Sequence, residues 1–264
     1  MMRALIIAGL ALAVLAYLLP RERNELALTD GDRGIVDEEV VVRLKAFSIP
    51  TYPSGKPRQY VSALKWSADG GESWSDSEVS VNHPLRVNGW WIYQYGYGPD
   101  QTDAMCTQLR CVRDPMLPVA ALGGLLVLLG ALGVCGANGR NVRGTGVPPV
   151  QKVRKALAWV AALAAVALPV FIIGRAVMRP EPLPALQSWL MAPHVAAYSA
   201  SYIILLFAVF GIGRRFVPLG FLLMTLGLVL GAVWGKIAWS EWWQFDPKEN
   251  WSFFTWLAFA VALQ

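Results

Sequence analysis

Residues 234–256 read W-G-K-I-A-W-S-E-W-W-Q-F-D-P-K-E-N-W-S-F-F-T-W. Six of the chain's twelve tryptophans fall in this stretch, with Phe245, Phe253 and Phe254, and so do Lys236, Glu241, Asp246, Lys248 and Glu249. Long apolar runs lie on both sides of it. A lipid-buried span has no use for so many charges, and a soluble loop would not carry so much aromatic area. Amphipathic rings beside charges suit a membrane–water interface. They equally suit a flat conjugated ligand with charged edges, because rings can stack on its face while polar groups hold its rim.

Working outward, the composition agrees with a membrane setting. The 264 residues are 55% hydrophobic and 16% charged, with a mean hydropathy of +0.43. A soluble chain would have roughly 45–50% apolar and about 25% charged residues. A helix crossing the hydrocarbon core needs about 20 mostly apolar residues. Residues 4–19, 116–135, 156–178, 189–212 and 217–233 reach or approach that length. A sixth run, 252–264, stops after 13 residues, about 20 Å of helix. The expectation is therefore a mainly α polytopic membrane protein of about six transmembrane helices, the last of them truncated, in a chain that is apparently a fragment.

The net charge of +5 carries no nucleic-acid signal, because the charges sort by side of the bilayer. The linker 138–155 carries Arg140, Arg143, Lys152, Arg154 and Lys155 with no acid, and Arg214 and Arg215 occupy another short turn without one. Excess Lys and Arg in short loops marks the cytoplasmic side. All eighteen acidic residues then fall on the outer side. Arg21 and Arg23, directly after the first apolar run on that outer side, dissent.

Residues 1–20 read as a membrane anchor. A signal peptide is the alternative, although Tyr17-Leu18-Leu19-Pro20 offers no small-residue cleavage site. Either way, residues 21–115 form the one extracytoplasmic domain, and its pattern is β-rich. Residues 40–47, 60–66, 78–81 and the aromatic run 89–97 are strand-like, with turn signals at Tyr52-Pro53-Ser54-Gly55 and Asp69-Gly70-Gly71. A twisted sheet or small sandwich follows. Residues 116–137 are a membrane helix, 138–155 a cytoplasmic basic linker, and 156–264 a helical membrane domain whose loop, 234–251, lies outside.

Three cysteines are present. Cys106 and Cys111 lie outside in C-T-Q-L-R-C, where an oxidising compartment suits a local disulfide; a redox pair or two free thiols are the alternatives. Cys135 reads as a small packing residue. His194 and His83 are the only histidines. A histidine inside a spanning segment is costly and a functional candidate by default. It is also, equally well, a ring hydrogen-bonded to a neighbouring helix, with Tyr198, Ser199, Ser201 and Tyr202 as polar neighbours in sequence. The topology above puts His194 and the tryptophan stretch on one side at similar depth, which favours a ligand. His83, before Pro84, reads as a structural turn residue, with a ligand role as the alternative.

Two resemblances bear on this. Val81-Asn82-His83-Pro84-Leu85-Arg86, Gly89, Tyr93-Gln94 and Arg113-Asp114-Pro115, together with residues 47–57, resemble the C-terminal end of the ResB family, one half of the System II machinery for cytochrome c maturation. W-S-E-W-W-Q-F-D-P-K-E-N-W is similar to the tryptophan-rich WWD signature of the CcsA/ResC family, roughly W-G-x-x-W-x-W-D-P-K-E-x-W. Trp239, Trp243, Asp246, Pro247, Lys248, Glu249 and Trp251 match it, while Ser240 stands for the glycine and Phe245 for a tryptophan. Residues 187–202 resemble the family segment that bears an outer haem-ligand histidine.

The resemblance implies a ResB end fused to a CcsA beginning. The haem-handling function would be export of haem b and its presentation to an apocytochrome c bearing Cys-x-x-Cys-His. His194 would be the axial ligand of the haem iron. Trp239, Trp242, Trp243, Phe245, Asp246, Lys248 and Trp251 would form the cofactor-binding surface. Lys236 or Lys248 would pair with propionates, unless Asp246 and Glu249 engage those lysines or instead order the loop. The setting would be a bacterial inner membrane, with the remaining ResB and CcsA portions as partners. Whether the chain itself takes part in thioether ligation, or is a non-catalytic scaffold or remnant, stays open. Gln264 stands where the family pattern has a histidine, and the family's second outer histidine would lie beyond it.

Overall fold

The computed structural model describes residues 2–99, 105–141, 181–209 and 214–263. The expected third span, at 156–178, most of the basic linker and Gln264 lie outside the described residues.

The first half is a β unit of eight strands. β1 (Glu22–Leu28), β8 (Met105–Arg113), β7 (Trp90–Pro99) and β6 (Leu85–Val87) form one antiparallel sheet in that order. β2 (Arg33–Ile35), β3 (Val41–Ser48), β4 (Val61–Ser67) and β5 (Ser75–Ser80) form the other. Alternation along the strands turns Val42, Leu44, Leu64 and Val79 of one sheet toward Leu28, Ile92, Leu109 and Cys111 of the other, and these side chains make one buried core. The unit is thus a small sandwich. A polar cluster sits within it and is internally satisfied: Ser62 donates to Gln94 at 2.6 Å, and the Gln94 amide donates to Thr107 at 2.9 Å.

The four strand-like segments expected from the pattern are present as β3, β4, β5 and β7. The flanking pair β1 and β8 is not among those expectations. β1 opens on Glu22-Arg23-Asn24-Glu25 and sits at a sheet edge, where charge is tolerated and discourages further pairing.

β8 also corrects the disulfide expectation. Cys106 and Cys111 are free thiols on the same strand, opposite Gly98 and Ile92 of β7. Five residues of strand separate their Cα atoms by about 17 Å, whereas a disulfide bridges at most about 7 Å. Both cysteines are buried, and burial pushes the Cys111 thiol up to about 12.

Among the described residues three helices are long and apolar enough to cross a membrane: α2 (Leu117–Asn141), α3 (Met191–Val209) and α4 (Val217–Trp239). The shorter apolar α1 (Met2–Leu18) packs along α2. Their axes come close because Gly9 and Gly123 face each other: a Cβ on either would stand 2.6–2.7 Å from the other's carbonyl oxygen. Small residues at helix contacts are the usual device where lipid supplies no hydrophobic drive. The fifth described helix, α5 (Pro247–Ala262), starts five residues before the apolar run that suggested it.

Trp256 of α5 locks the bundle. It is 2% exposed, stacks on Phe221 at 5.4 Å, and donates its indole N–H to Thr225 at 2.8 Å. This tryptophan is core.

Helix direction puts the C-terminal ends of α1 and α4 and the N-terminal ends of α2, α3 and α5 beside the β unit. Arg3, Arg214 and Arg215 belong to the opposite end.

Candidate functional site

The site is built at the end of the bundle that meets the β unit, and its first part is the loop between α4 and α5. Ser240 ends α4 in the left-handed region, at φ 69, with its N–H on the Lys236 carbonyl at 3.2 Å. This is the position where the WWD pattern has glycine, the residue that adopts such a φ without Cβ strain. Asp246 then starts α5. Its carboxylate accepts the Glu249 N–H at 2.8 Å, Pro247 takes the first helical position, and the Glu249 carboxylate reaches back to the Gln244 N–H at 2.7 Å. D-P-K-E is therefore a capping arrangement that satisfies N–H groups at the helix start. Of the two roles left open for Asp246 and Glu249, ordering the loop is the one their hydrogen bonds serve. Phe245, at φ 57 and 58% exposed, is held outward by this turn, and its carbonyl accepts from Asn250 at 2.8 Å.

The second part is a niche for His194. Pro193 lies in the first turn of α3, and the His194 N–H reaches the Leu190 carbonyl at 3.1 Å. The imidazole Nδ1 lies 2.9 Å from the Gly227 carbonyl of α4. A carbonyl can only accept, so Nδ1 carries the proton and Nε2 keeps its lone pair. This is the tautomer of a ligating histidine whose other nitrogen is fixed by the surrounding protein. Space for the ring comes from glycine. A Cβ on Gly231 would stand 2.6 Å from the imidazole Cε1, and one on Gly227 would stand 2.7 Å from the Tyr198 ring. Tyr198 meets His194 edge-on at 5.0 Å, and Trp234 lies 5.9 Å away between ring centres. The Trp234 N–H is buried without a hydrogen-bond partner among the described residues. Ser201, one of the polar neighbours considered from sequence, is buried and does not reach the histidine.

From this niche the aromatic contacts lead outward. Trp234 touches Trp239 at 5.3 Å, and Trp239 lines an open cleft of about 930 Å³ between the loop, the end of α1 and the β unit. Trp243 and Phe245 line it from the loop side, with Glu241 and Gln244. Tyr17, Tyr95, Arg21, Arg23 and Arg110 line it from the other. Arg21 donates to Glu241 at 3.0 Å, and Arg23 pairs with the other oxygen of the same carboxylate. Arg110 lies flat against Tyr95, 3.3 Å from the ring centre, and pairs with Glu25 at 2.9 Å.

A buried latch lies next to the cleft residue Arg21. The Lys236 ammonium lies 3.0 Å from the Asp114 carboxylate and 3.2 Å from the Ser240 carbonyl, with the two side chains 6% and 2% exposed. Arg21 stands 3.6 Å from the same carboxylate. Lys236 is thus engaged by Asp114, which corrects its assignment to a ligand's propionate. A second set of contacts joins the β unit to the segment before His194. Asn82 donates to the Pro184 carbonyl at 3.0 Å, Gln187 to the Arg58 carbonyl at 2.8 Å, and Ser54 to Glu181 at 2.6 Å. The Ser54 hydroxyl, with Lys56 beside it, holds the Glu181 carboxyl below its ordinary range.

The structure therefore brings Trp239, Trp243 and Phe245 to one cleft and sets His194 one indole behind it. It does not bring Trp242, Asp246, Lys248 or Trp251 into the cleft lining. Trp242 lies over the Lys236 ammonium at 6.0 Å, Asp246 is the helix cap, Lys248 is exposed, and Trp251 is 72% exposed, edge-on to Phe254. Trp234, Gly227, Gly231, Arg110 and Asp114 were not singled out as site residues from sequence.

Comparison with known proteins now adds to the geometry. Residues 20–110 match the model of the ResB-like family, and residues 209–264 match that of the Cytochrome C assembly protein family. The chain joins a ResB-like segment to a cytochrome c assembly segment. Among similar proteins, the "Cytochrome c biogenesis protein CcsA" of Prochlorococcus marinus (strain MIT 9312) is 55% identical over 49 residues, which is 19% of this chain and 16% of that protein. Those of Lotus japonicus and Glycine max are each 49% identical over 51 residues, again 19% and 16%. The chain thus spans about a sixth of the length of the curated relatives it matches. The latch gains meaning from this: Asp114 lies four residues past the end of the ResB-like match, and Lys236 lies inside the cytochrome c assembly segment.

Proposed function

We propose that this chain handles haem during cytochrome c maturation. Haem b is the cargo, and the His194 Nε2 is its iron ligand. The porphyrin rests against the indoles of the loop at the β-unit end. We assign that end to the extracytoplasmic face of a bacterial inner membrane, because Arg3, Arg214 and Arg215 mark the other end as cytoplasmic. An apocytochrome c with a Cys-x-x-Cys-His segment docks at the β unit to receive the haem. In this reading residues 21–115 are the docking domain, 156–264 the haem-handling membrane domain, and the remaining ResB and CcsA portions are supplied by partner subunits or by further sequence.

One observation supports this above the others. His194 is held with Nδ1–H on a helix carbonyl, with no hydrogen-bond partner on Nε2 among the described residues, in contact with Trp234 of the tryptophan stretch. A histidine serving only to join two helices does not need an indole beside it whose N–H has no partner among the described residues, or a glycine cleared against its ring. When bound, haem supplies the iron and the vinyl groups on which thioether bonds are made. The protein's own part is to fix the imidazole tautomer, present the rings, and keep the loop ordered through the Asp246–Glu249 cap.

The test is haem content. The full chain, purified in detergent from a haem-replete host, is expected to carry non-covalent haem b, measured as the pyridine haemochrome. Haem-free protein from the same host would contradict the reading and favour a structural role in a larger assembly.

A further inference from the structure

The cleft is drawn from both matched segments at once. Arg21, Arg23, Tyr95 and Arg110 belong to the ResB-like segment, and Trp239, Glu241, Trp243 and Phe245 to the cytochrome c assembly segment. The chemistry divides the same way. Among the described lining residues, one side contributes three cations, and the other contributes three exposed or half-exposed rings and one acid.

We propose that this cleft is a composite carboxylate-binding site, in which Arg21 and Arg23 take a carboxylate of the porphyrin whose face rests on the loop's rings. The proposal rests on the haem reading above and adds where the acidic edge of the ligand goes. The arginine pair already performs this chemistry on an internal group. The two guanidiniums each hold one oxygen of the same carboxylate, that of Glu241. Planar guanidinium forks matched to a carboxylate give charge-assisted, geometrically specific bonds, which a lysine does not reproduce.

Glu241 occupies the clamp, and it sits on the same loop as the stacking rings Trp239, Trp243 and Phe245. A ligand that lies on those rings brings its own carboxylate to the clamp and exchanges with Glu241. The charges favour that exchange. Among the described residues three guanidiniums and one carboxylate line the cleft; outside the lining, Arg21 also meets Asp114 at 3.6 Å and Arg110 pairs with Glu25, whose side chain is 57% exposed. Cations thus outnumber acids on the lining itself, which favours an anionic edge on the ligand. The volume of about 930 Å³ is at the upper end of the usual range for organic ligands. The arrangement also gives the two arginines that dissent from the positive-inside pattern a reason to sit where they do.

The test separates the carboxylate clamp from the iron ligand by leaving the iron out. Protoporphyrin IX and its dimethyl ester are titrated against the full chain in nanodiscs of neutral lipid, followed by quenching of tryptophan fluorescence. The free acid is expected to bind at least about tenfold tighter than the ester, the usual scale for losing charge-assisted hydrogen bonds. The double variant Arg21→Gln/Arg23→Gln is expected to lose most of that difference while binding the ester as wild type does. Glu241→Gln, which removes the internal competitor, is expected to widen it. Equal binding of acid and ester to the wild type overturns the composite site and leaves the haem reading standing, and no variant has to fold for that result. A difference that survives in the arginine double variant overturns the assignment to this clamp. Binding of neither porphyrin overturns the composite site, and the haem reading is then judged by haem content alone. Anionic phospholipid that abolishes porphyrin binding at a few molecules per disc would assign the clamp to lipid headgroups instead.

Discussion

Removing one partner of the Asp114–Lys236 latch should loosen the junction between the two segments, and the structure says which removal hurts more. At 3.0 Å, two unit charges attract by about 5.5 kcal/mol at an effective dielectric of about 20. Desolvation offsets much of this, so the latch is judged by what is left behind when it is broken. In Asp114→Asn the Lys236 ammonium stays buried with neutral partners only, the Ser240 carbonyl and the new amide oxygen, and the cost should be about 3–5 kcal/mol. In Lys236→Met the Asp114 carboxylate keeps Arg21 at 3.6 Å and the Met116 N–H at 3.2 Å, and roughly half that cost follows from the retained partners. The double variant buries no unpaired charge and should be more stable than the sum of the single effects implies, because apolar replacement of a buried pair is often near neutral. Thermal unfolding of the full chain in detergent, followed by tryptophan fluorescence, reads this out. Asp114→Asn should lower the midpoint by roughly 10 °C, a value taken from soluble domains, with Lys236→Met between it and the double variant. Equal losses in the two single variants, or additive loss in the double, would refute the argument that an orphaned ammonium sets the cost.

Other expectations follow from individual contacts. Ser240→Gly should raise stability by about 1 kcal/mol, since it removes a Cβ from a left-handed position and a buried hydroxyl that has no partner among the described residues; a lower melting midpoint would contradict it. Mass analysis of the non-reduced protein should find no Cys106–Cys111 bridge, and neither thiol should react with a maleimide at neutral pH until the chain is denatured. The Glu181 carboxyl is held low in the folded protein by Ser54 and Lys56. Its contribution to docking is therefore fully present above the ordinary glutamate value of about 4.3, and is lost as pH falls through its depressed one. Proteolytic exposure of the 181–187 segment should rise on acidification below that value in wild type and be independent of pH there in Glu181→Gln.

How far the sequence alone could lead depended on how local each feature is. The tryptophan stretch, the membrane segments and four strands announce themselves through composition and periodicity over short windows. The capping role of Asp246 and Glu249 was equally readable, since an acid three residues before a glutamate at the edge of an apolar run marks a helix start. The sequence leaves that ordering role open beside the ligand contacts that the resemblance to a haem-handling signature implies. The arginine clamp was not readable, because Arg21 and Glu241 meet across 220 positions, and each alone looked like a charge beside a membrane helix. The same holds for Asp114 and Lys236. The cysteine pair misled because a spacing of five says nothing about backbone shape: in a turn it permits a bridge, and in the strand β8 it forbids one.

The account depends most on His194 as the ligand of porphyrin iron beside the indoles. The visible spectrum of the haem carried by the full chain tests this directly when wild type and His194→Gly are compared with and without added imidazole. The account predicts a six-coordinate spectrum in wild type, an altered Soret band with weakened retention of haem in His194→Gly, and return of the wild-type band when imidazole fills the vacated niche beside Gly227 and Gly231. A spectrum that is the same in wild type and variant, and indifferent to imidazole, would contradict it.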